Sequence, residues 1–305
     1  MNKSIRLTVS IDRDRREMKT FRNTLAGLIV LAVGGASLGL GQVIENPAKP
    51  KAANAGRVIT PQQVLAISDE GTSDYYFKWP HDLAIGPNGS LLLTDVNQVL
   101  EFDAGGKFQH NLFKKGQGPG EMPYPGTALA AGGNVVVFSG GPAKLVYFDR
   151  EDRFEKELAV RSEGGPSLKL LHYHSGAFFF VASEFPRTTG DPKAVETPQT
   201  IVAVREADGT VETLASFTAK AYVIAAPGGG GGMFGIASLI AAPFEEKYLA
   251  LTHTEEYLLK IYDPAANKAV REFRRTYERA KGIPLSEKEK EGGIFIDNKH
   301  YTRPE

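Results

Sequence analysis

A repeat about 45 residues long constrains this chain more than any other feature. One segment begins at Trp79 and a second at Tyr124. Four pairs of positions coincide between them: Pro80 with Pro125, Phe102 with Phe148, Asp103 with Asp149, and Phe108 with Phe154. Two looser copies align Val204 and Tyr262 with Phe102. Because a fixed period of this length marks a repeat architecture, the copies are expected to be equivalent structural units.

Each copy divides into short apolar runs separated by turn residues, as the 33 glycines and 18 prolines of the chain allow. Such runs predict strands, and the charged stretch around 271–290 is the best helical candidate. A unit of about 40–45 residues with four strands is typical of a propeller blade. The sequence therefore predicts an all-β fold, a β-propeller of four-stranded antiparallel blades over residues 57–305. The sequence shows four blades, and residues 294–297 are a candidate for the first strand of a fifth.

The first copy also carries a family resemblance. Its motifs are Pro80-His81, PNG (87–89), LLTD (92–95), VLEFD (99–103), GGKF (105–108) and GQGPGE (116–121). These resemble an NHL repeat, and with the N-terminal segment they are similar to bacterial secreted six-bladed β-propellers. The resemblance implies a fold but little about function. A six-bladed ring needs about 80–90 more residues, so the prediction is a C-terminally truncated chain or, alternatively, an atypical ring.

The N-terminal residues predict export. Residues 24–41 are uncharged and apolar, and Lys19 and Arg22 precede them. This pattern is typical of a signal peptide over residues 1–41, and either Met1 or Met18 could be its start. The expected destination is the periplasm or the cell exterior; an uncleaved N-terminal membrane anchor is the alternative. Residues 42–56 are rich in Pro, Ala and Asn and are predicted to be a flexible linker.

Several function classes lose support. The formal net charge is zero, so no nucleic-acid partner is expected. The absence of cysteine excludes disulfides and thiolate metal sites. The glycine run 227–232 lacks the Lys-Ser/Thr of a phosphate loop and is interpreted as a connector. No catalytic residue is assigned, because Asp103 and Asp149 are predicted to be turn residues and Asp95, at the end of a strand, is predicted to be structural.

Histidines supply the candidate metal ligands. His81 and its neighbour Asp82 stand at the start of an inner strand, and His172 and His174 face the same side of another. Lactonase-type propellers, which the chain resembles, hold a metal in the central channel. That resemblance makes calcium or zinc the alternative to the main expectation, which is no cofactor at all. Strand histidines more often pack or donate hydrogen bonds.

The predicted function follows from a marked scaffold without a catalytic set. We expect an exported, non-enzymatic propeller that binds a small molecule, glycan or peptide, or serves as an interaction scaffold for an envelope protein. The alternative is a metal-dependent hydrolase or lyase of the lactonase or NHL-lyase type. Contact with a membrane is expected only through an uncleaved signal segment.

Overall fold

The structure is a computed structural model of the 305-residue chain. It describes residues 4–7, 42–46, 62–160, 167–184, 193–226, 230–254, 258–276, 293–296 and 299–302. These residues contain strands and turns and no α-helix. Consequently none of them belongs to a helix of the length and apolar character needed to cross a membrane. Three strands precede the first blade: β1 (Ser4–Leu7), β2 (Gln42–Asn46) and β3 (Leu65–Ser68).

Blades I and II are four-stranded antiparallel meanders, as the sequence predicts. Blade I contains β4 (Asp82–Ile85), β5 (Leu91–Asp95), β6 (Gln98–Phe102) and β7 (Phe108–Asn111). Blade II contains β8 (Ala128–Ala131), β9 (Asn134–Gly140), β10 (Ala143–Phe148) and β11 (Phe154–Ala159).

Blades III and IV each have a fifth strand. Blade III contains β12 (Ser167–His174), β13 (Ala177–Ser183), β14 (Lys193–Arg205), β15 (Val211–Ala226) and β16 (Gly230–Ala237). Blade IV contains β17 (Leu239–Phe244), β18 (Tyr248–His253), β19 (Leu258–Asp263) and β20 (Lys268–Arg275), with β2 on its outer edge. A last hairpin pairs β21 (Gly293–Ile296) with β22 (Lys299–Thr302).

The blades form a propeller because their first strands are neighbours. β4 contacts β8, β8 contacts β12, and β12 contacts β17, so the innermost strands surround an axis. The sheets pack face to face through apolar side chains. In β9, Val135 and Val137 face blade I, whereas Val136 and Phe138 face blade III. Because alternate side chains of a strand point to opposite faces, a strand between two neighbours must be apolar throughout.

The repeated aspartate has one structural role. Asp103 Oδ1 accepts hydrogen bonds from Gly105 N and Lys107 N, both at 2.9 Å. Asp149 Oδ1 accepts from the equivalent Glu151 N and Arg153 N at 2.9 and 3.0 Å. Asp263 accepts from two backbone N–H groups in blade IV. The geometry agrees with the predicted turn role of these residues.

The structure departs from the sequence prediction in three segments. The predicted linker 42–56 begins with a strand: β2 pairs in parallel with β20, whose outer edge offers free backbone groups. The predicted glycine connector contributes Gly230–Gly232 to β16, which pairs with β15. The charged helical candidate has its residues 271–275 in β20. The signal segment 24–41 and residues 47–56 lie outside the described residues.

The described residues form four antiparallel blades whose innermost strands are neighbours, which confirms the all-β propeller. The six-bladed type and the truncation stay predictions. β3 pairs with β1 and packs Ile67 against the face of blade I that points away from blade II.

Candidate functional site

A cavity of about 420 Å³ opens where three innermost strands begin. It lies at the N-terminal ends of β4, β8 and β12, close to the propeller axis. Its wall combines charged, aromatic and apolar side chains with backbone: His81, Asp82, Tyr124, Pro125, Gly126, Thr127, Phe138, Gly140, Leu168, Lys169 and Leu170. We call this the axial cavity. The predicted candidates His81 and Asp82 both belong to it.

Asp82 has an unsatisfied carboxylate oxygen in the wall of the axial cavity. Its Oδ1 accepts a hydrogen bond from Leu83 N at 3.0 Å. Its Oδ2 is buried and has no hydrogen-bond partner among the described residues. A buried carboxylate oxygen is costly unless a donor reaches it, because it has lost the hydrogen bonds of water. This oxygen is therefore an unpaired acceptor in a residue of the cavity wall.

Two exposed aromatic side chains lie beside the axial cavity at equivalent repeat positions. Trp79 is 70% exposed and Tyr124 is 69% exposed. The Asp95 carboxylate accepts a hydrogen bond from Trp79 N at 2.6 Å, and Ser139 Oγ donates to Tyr124 O at 2.9 Å. Backbone anchors thus fix where each ring emerges, although both rings remain open to solvent.

The repeat explains why only blade I contributes a histidine here. His81 is exposed, with Nδ1 3.2 Å from Trp79 O. The equivalent residue of blade II is Gly126, whose N donates to Phe138 O at 2.8 Å. A Cβ on Gly126 would come within 2.8 Å of that same oxygen. Blade II therefore has no room for a side chain at this position, and the cavity is asymmetric.

The second predicted pair of ligands lies elsewhere. His172 and His174 stand near the C-terminal end of β12, whereas the axial cavity meets that strand at Leu168–Leu170. Their rings are parallel, with an interplanar angle of 5° and centroids 6.4 Å apart. His172 Nε2 is 2.9 Å from Glu246 O. The structure does not bring this pair to His81 and Asp82.

A group of His and carboxylate side chains that sequence reasoning did not select lies between blades I and II. It consists of Glu101, His110 and Asp152, whose ligand atoms all lie within 4.8 Å of one another. In the part of the chain that the structure describes, it is the one group of three or more His, Asp or Glu side chains this compact. Among the residues that the structure describes, neither predicted pair belongs to such a group of three. No sequence signal pointed to it, because Asp152 comes from a different blade.

A second cavity, of about 370 Å³, lies between blades III and IV. Buried Leu239 and Leu251 form its floor, and Lys220 and Lys260 lie in its wall. Lys220 Nζ is 3.6 Å from Glu196 Oε1, and Lys260 Nζ is 3.7 Å from Glu272 Oε1. Their charges are thus already balanced by carboxylates.

In the GQGPGE loop (116–121), two backbone N–H groups already face carboxylates of the chain itself. Gly118 N donates to Glu121 Oε2 at 3.0 Å, and Gly120 N lies 3.4 Å from Glu157 Oε2. Lys144, which is buried, forms an ion pair with Glu157 at 2.8 Å. The loop is a connector between blades I and II.

The fold and its axial cavity define the class of this protein as a β-propeller. No family model matches the chain, and no curated protein matches it. Among solved structures, a protein of Bacteroides fragilis that is provisionally described as exported is similar to it. That structure has 13% sequence identity and a TM-score of 0.44, and the match covers 77% of this chain and 60% of that one.

A gluconolactonase of Xanthomonas campestris is also similar, with 12% identity, a TM-score of 0.36, and coverage of 63% of this chain and 75% of that one. A chain of a nidogen–laminin complex has 10% identity and a TM-score of 0.37, with coverage of 70% and 86%. This chain spans only 60% of the length of the Bacteroides fragilis protein. Similarity at this level assigns no activity to it.

Proposed function

We propose that the chain is an exported, non-enzymatic β-propeller that binds a small glycan in the axial cavity. The observation that carries this proposal is the buried Asp82 Oδ2, which lacks a hydrogen-bond donor among the described residues in a cavity of about 420 Å³. A volume of this size is within the usual range of small-molecule sites. The cavity also lies where the innermost strands of blades I, II and III begin, so three blades contribute to one surface.

The chemistry of the wall supports a glycan over other small ligands. An ionised carboxylate only accepts hydrogen bonds, so it favours a ligand with hydroxyl donors. Lys169 is exposed in the same wall and offers donors to ring or hydroxyl oxygens. Tyr124 presents an exposed ring, whose apolar face can pack on the C–H face of a sugar. A peptide or another small molecule is an outcome that the test must distinguish.

A metal-dependent hydrolase of the lactonase type is less well supported. A catalytic metal commonly has three protein ligands. Among the described residues, neither His81 and Asp82 nor His172 and His174 belong to a group of three His, Asp or Glu side chains whose ligand atoms all lie within 4.8 Å of one another. His81 and Asp82 therefore have their simplest use in lining the axial cavity, and His172 has its own in the contact with Glu246 O.

Trp79 makes the ligand proposal directly testable, since it is the one tryptophan of the chain and lies close to the axial cavity. Its fluorescence should change when a panel of mono- and disaccharides is titrated, with short peptides as the second arm. Asp82→Asn should weaken binding about tenfold or more, because hydrogen bonds to a charged acceptor are worth about 1.5–3 kcal/mol.

Asp74→Asn is the matched control, because Asp74 is exposed in the preceding loop and is not part of the cavity wall. Binding of a sugar with equal affinity by wild type and Asp82→Asn would refute the site. Binding of peptides alone would replace the glycan by a peptide ligand, and binding of neither would favour an envelope scaffold without a small ligand.

Export is proposed from the segment 24–41. Expression of the full chain in a Gram-negative host, followed by fractionation and N-terminal sequencing, should place a chain beginning at Gln42 in the periplasm or medium. An uncleaved chain in the membrane fraction would instead support an N-terminal anchor.

A further inference from the structure

Glu101, His110 and Asp152 converge from three elements of two blades. Glu101 on β6 and His110 on β7 are cross-strand partners in blade I. Asp152 lies in the turn between β10 and β11 of blade II. His110 Nε2 is 3.0 Å from Glu101 Oε2 and 3.0 Å from Asp152 Oδ2. One imidazole nitrogen therefore faces two carboxylates at the boundary between the blades.

Two carboxylate acceptors lie at hydrogen-bond distance from the same ring nitrogen. A ring nitrogen carries at most one hydrogen, so Nε2 cannot make two full hydrogen bonds to two acceptors. The side chains of Glu101 and Asp152 are only 12% and 23% exposed. Their ion pairs within the described residues are those with His110 alone. Even with His110 protonated, two partly buried carboxylates would face a single positive charge, which is unfavourable.

A divalent cation at this point would supply positive charge to both carboxylates, which His110 alone cannot balance.

We propose that Glu101, His110 and Asp152 bind one zinc-class divalent cation that links blade I to blade II. Imidazole nitrogen and carboxylate oxygen are both normal zinc ligands. Ligands about 2.0–2.1 Å from a tetrahedral ion lie about 3.3 Å apart, close to the two 3.0 Å separations at Nε2. The His110 side chain is 34% exposed, so water can reach the fourth ligand position.

The imidazole nitrogen and the two carboxylate oxygens also determine which ions the site would bind only weakly. Calcium takes six to eight oxygen ligands, and magnesium prefers carboxylates together with several waters. An imidazole in a set of three ligands therefore favours zinc over both. The cluster is not part of the axial cavity wall, so this inference does not depend on the proposed glycan site.

The experiment is zinc binding to the purified full chain after dialysis against EDTA. Isothermal titration with zinc chloride should give one ion per chain, and thermal unfolding should shift to higher temperature with zinc and return with EDTA. Calcium and magnesium at equal concentration should produce neither effect. Glu101→Gln and Asp152→Asn, which preserve side-chain size, should each weaken zinc binding at least tenfold. Asp152→Asn also suits the backbone, since Asp152 has φ of 61° and asparagine tolerates that region.

His172→Gln combined with His174→Gln is the matched control, because it removes the other pair of neighbouring histidines. This double variant should bind zinc as the wild type does. Loss of zinc binding in the double variant, with retention in Glu101→Gln and Asp152→Asn, would overturn the proposal. A dissociation constant weaker than about 1 mM for the wild type would overturn it as well, since a built site of three ligands is expected to bind far more tightly.

Discussion

Asp95 is predicted to be the most sensitive polar residue of blade I. It has no exposed surface, and its carboxylate accepts three backbone hydrogen bonds. The donors are Lys78 N at 2.7 Å, Trp79 N at 2.6 Å and Val96 N at 2.5 Å. The first two belong to the segment that leads into β4 and the axial cavity. Replacing the carboxylate therefore releases the chain at the point where it enters the innermost strand.

The expected cost follows from these contacts. A hydrogen bond to a charged acceptor contributes about 1.5–3 kcal/mol, and a buried donor that loses its acceptor costs about 1–3 kcal/mol. In Asp95→Asn one acceptor oxygen remains, while the new NH₂ group faces a backbone N–H. We therefore expect a loss of about 2–4 kcal/mol in the free energy of unfolding. Asp103→Asn is the control, because both bonds of Asp103 Oδ1 can be made by an asparagine oxygen, and its expected loss is under about 0.5 kcal/mol.

Urea unfolding followed by the fluorescence of Trp79 measures both variants, and circular dichroism provides a second probe. Coincident transitions would justify a two-state treatment. If Asp95→Asn lost less than 1 kcal/mol, or no more than Asp103→Asn, the buried carboxylate would not hold the segment. A folded Asp95→Asn protein should also bind the ligand of the axial cavity less tightly, because the segment Lys78–Trp79 has lost one of its two backbone hydrogen bonds to the carboxylate.

Two further predictions concern blades II and III. Gly120→Ala should lower the free energy of unfolding by about 1–3 kcal/mol, since Gly120 has φ of +73° and a Cβ would come 2.8 Å from the Phe154 ring. Gly140→Ala, where the space is open, should change it by less than about 0.5 kcal/mol in the same denaturation assay. Burial and the Glu206 carboxylate raise the pKa of Tyr173 to about 12. The folded state therefore retains the phenol proton, and stability should fall as the pH rises above about 10, the pKa of an unfolded tyrosine. Glu206→Gln should move this ionisation to lower pH in an ultraviolet titration, and an unchanged titration would contradict the assignment.

Much of the fold was predictable because the repeat defines the length of each blade and the positions of its turns. The coincidence of Asp103 with Asp149 identified equivalent turns, and the structure forms the same pair of backbone hydrogen bonds at both. Strand β9, which begins with Asn134 and continues as Val135–Phe138, was predictable because a fully apolar run is typical of a strand covered on both faces. The fifth strands of blades III and IV were not predictable, since β2 and β16 lack such a pattern and are defined by the strand edges that they join.

The candidate site was predictable only in part. His81 and Asp82 were selected because they stand where an innermost strand begins, and they do lie in the wall of the axial cavity. The pairing of residues from different blades could not be read from spacing. His172 and His174 share a strand with part of the cavity wall but lie at its other end, and Asp152 reaches His110 across a blade boundary.

The sequence by itself determined the repeating blade, its turn residues and the apolar strands between them, because these features depend on local periodicity and on short-range hydrogen bonds. Only the tertiary structure decided which polar side chains meet. The unsatisfied oxygen of Asp82 and the convergence of Glu101, His110 and Asp152 depend on how the blades are placed beside one another. Burial and charge balance belong to that arrangement, and no single repeat contains them.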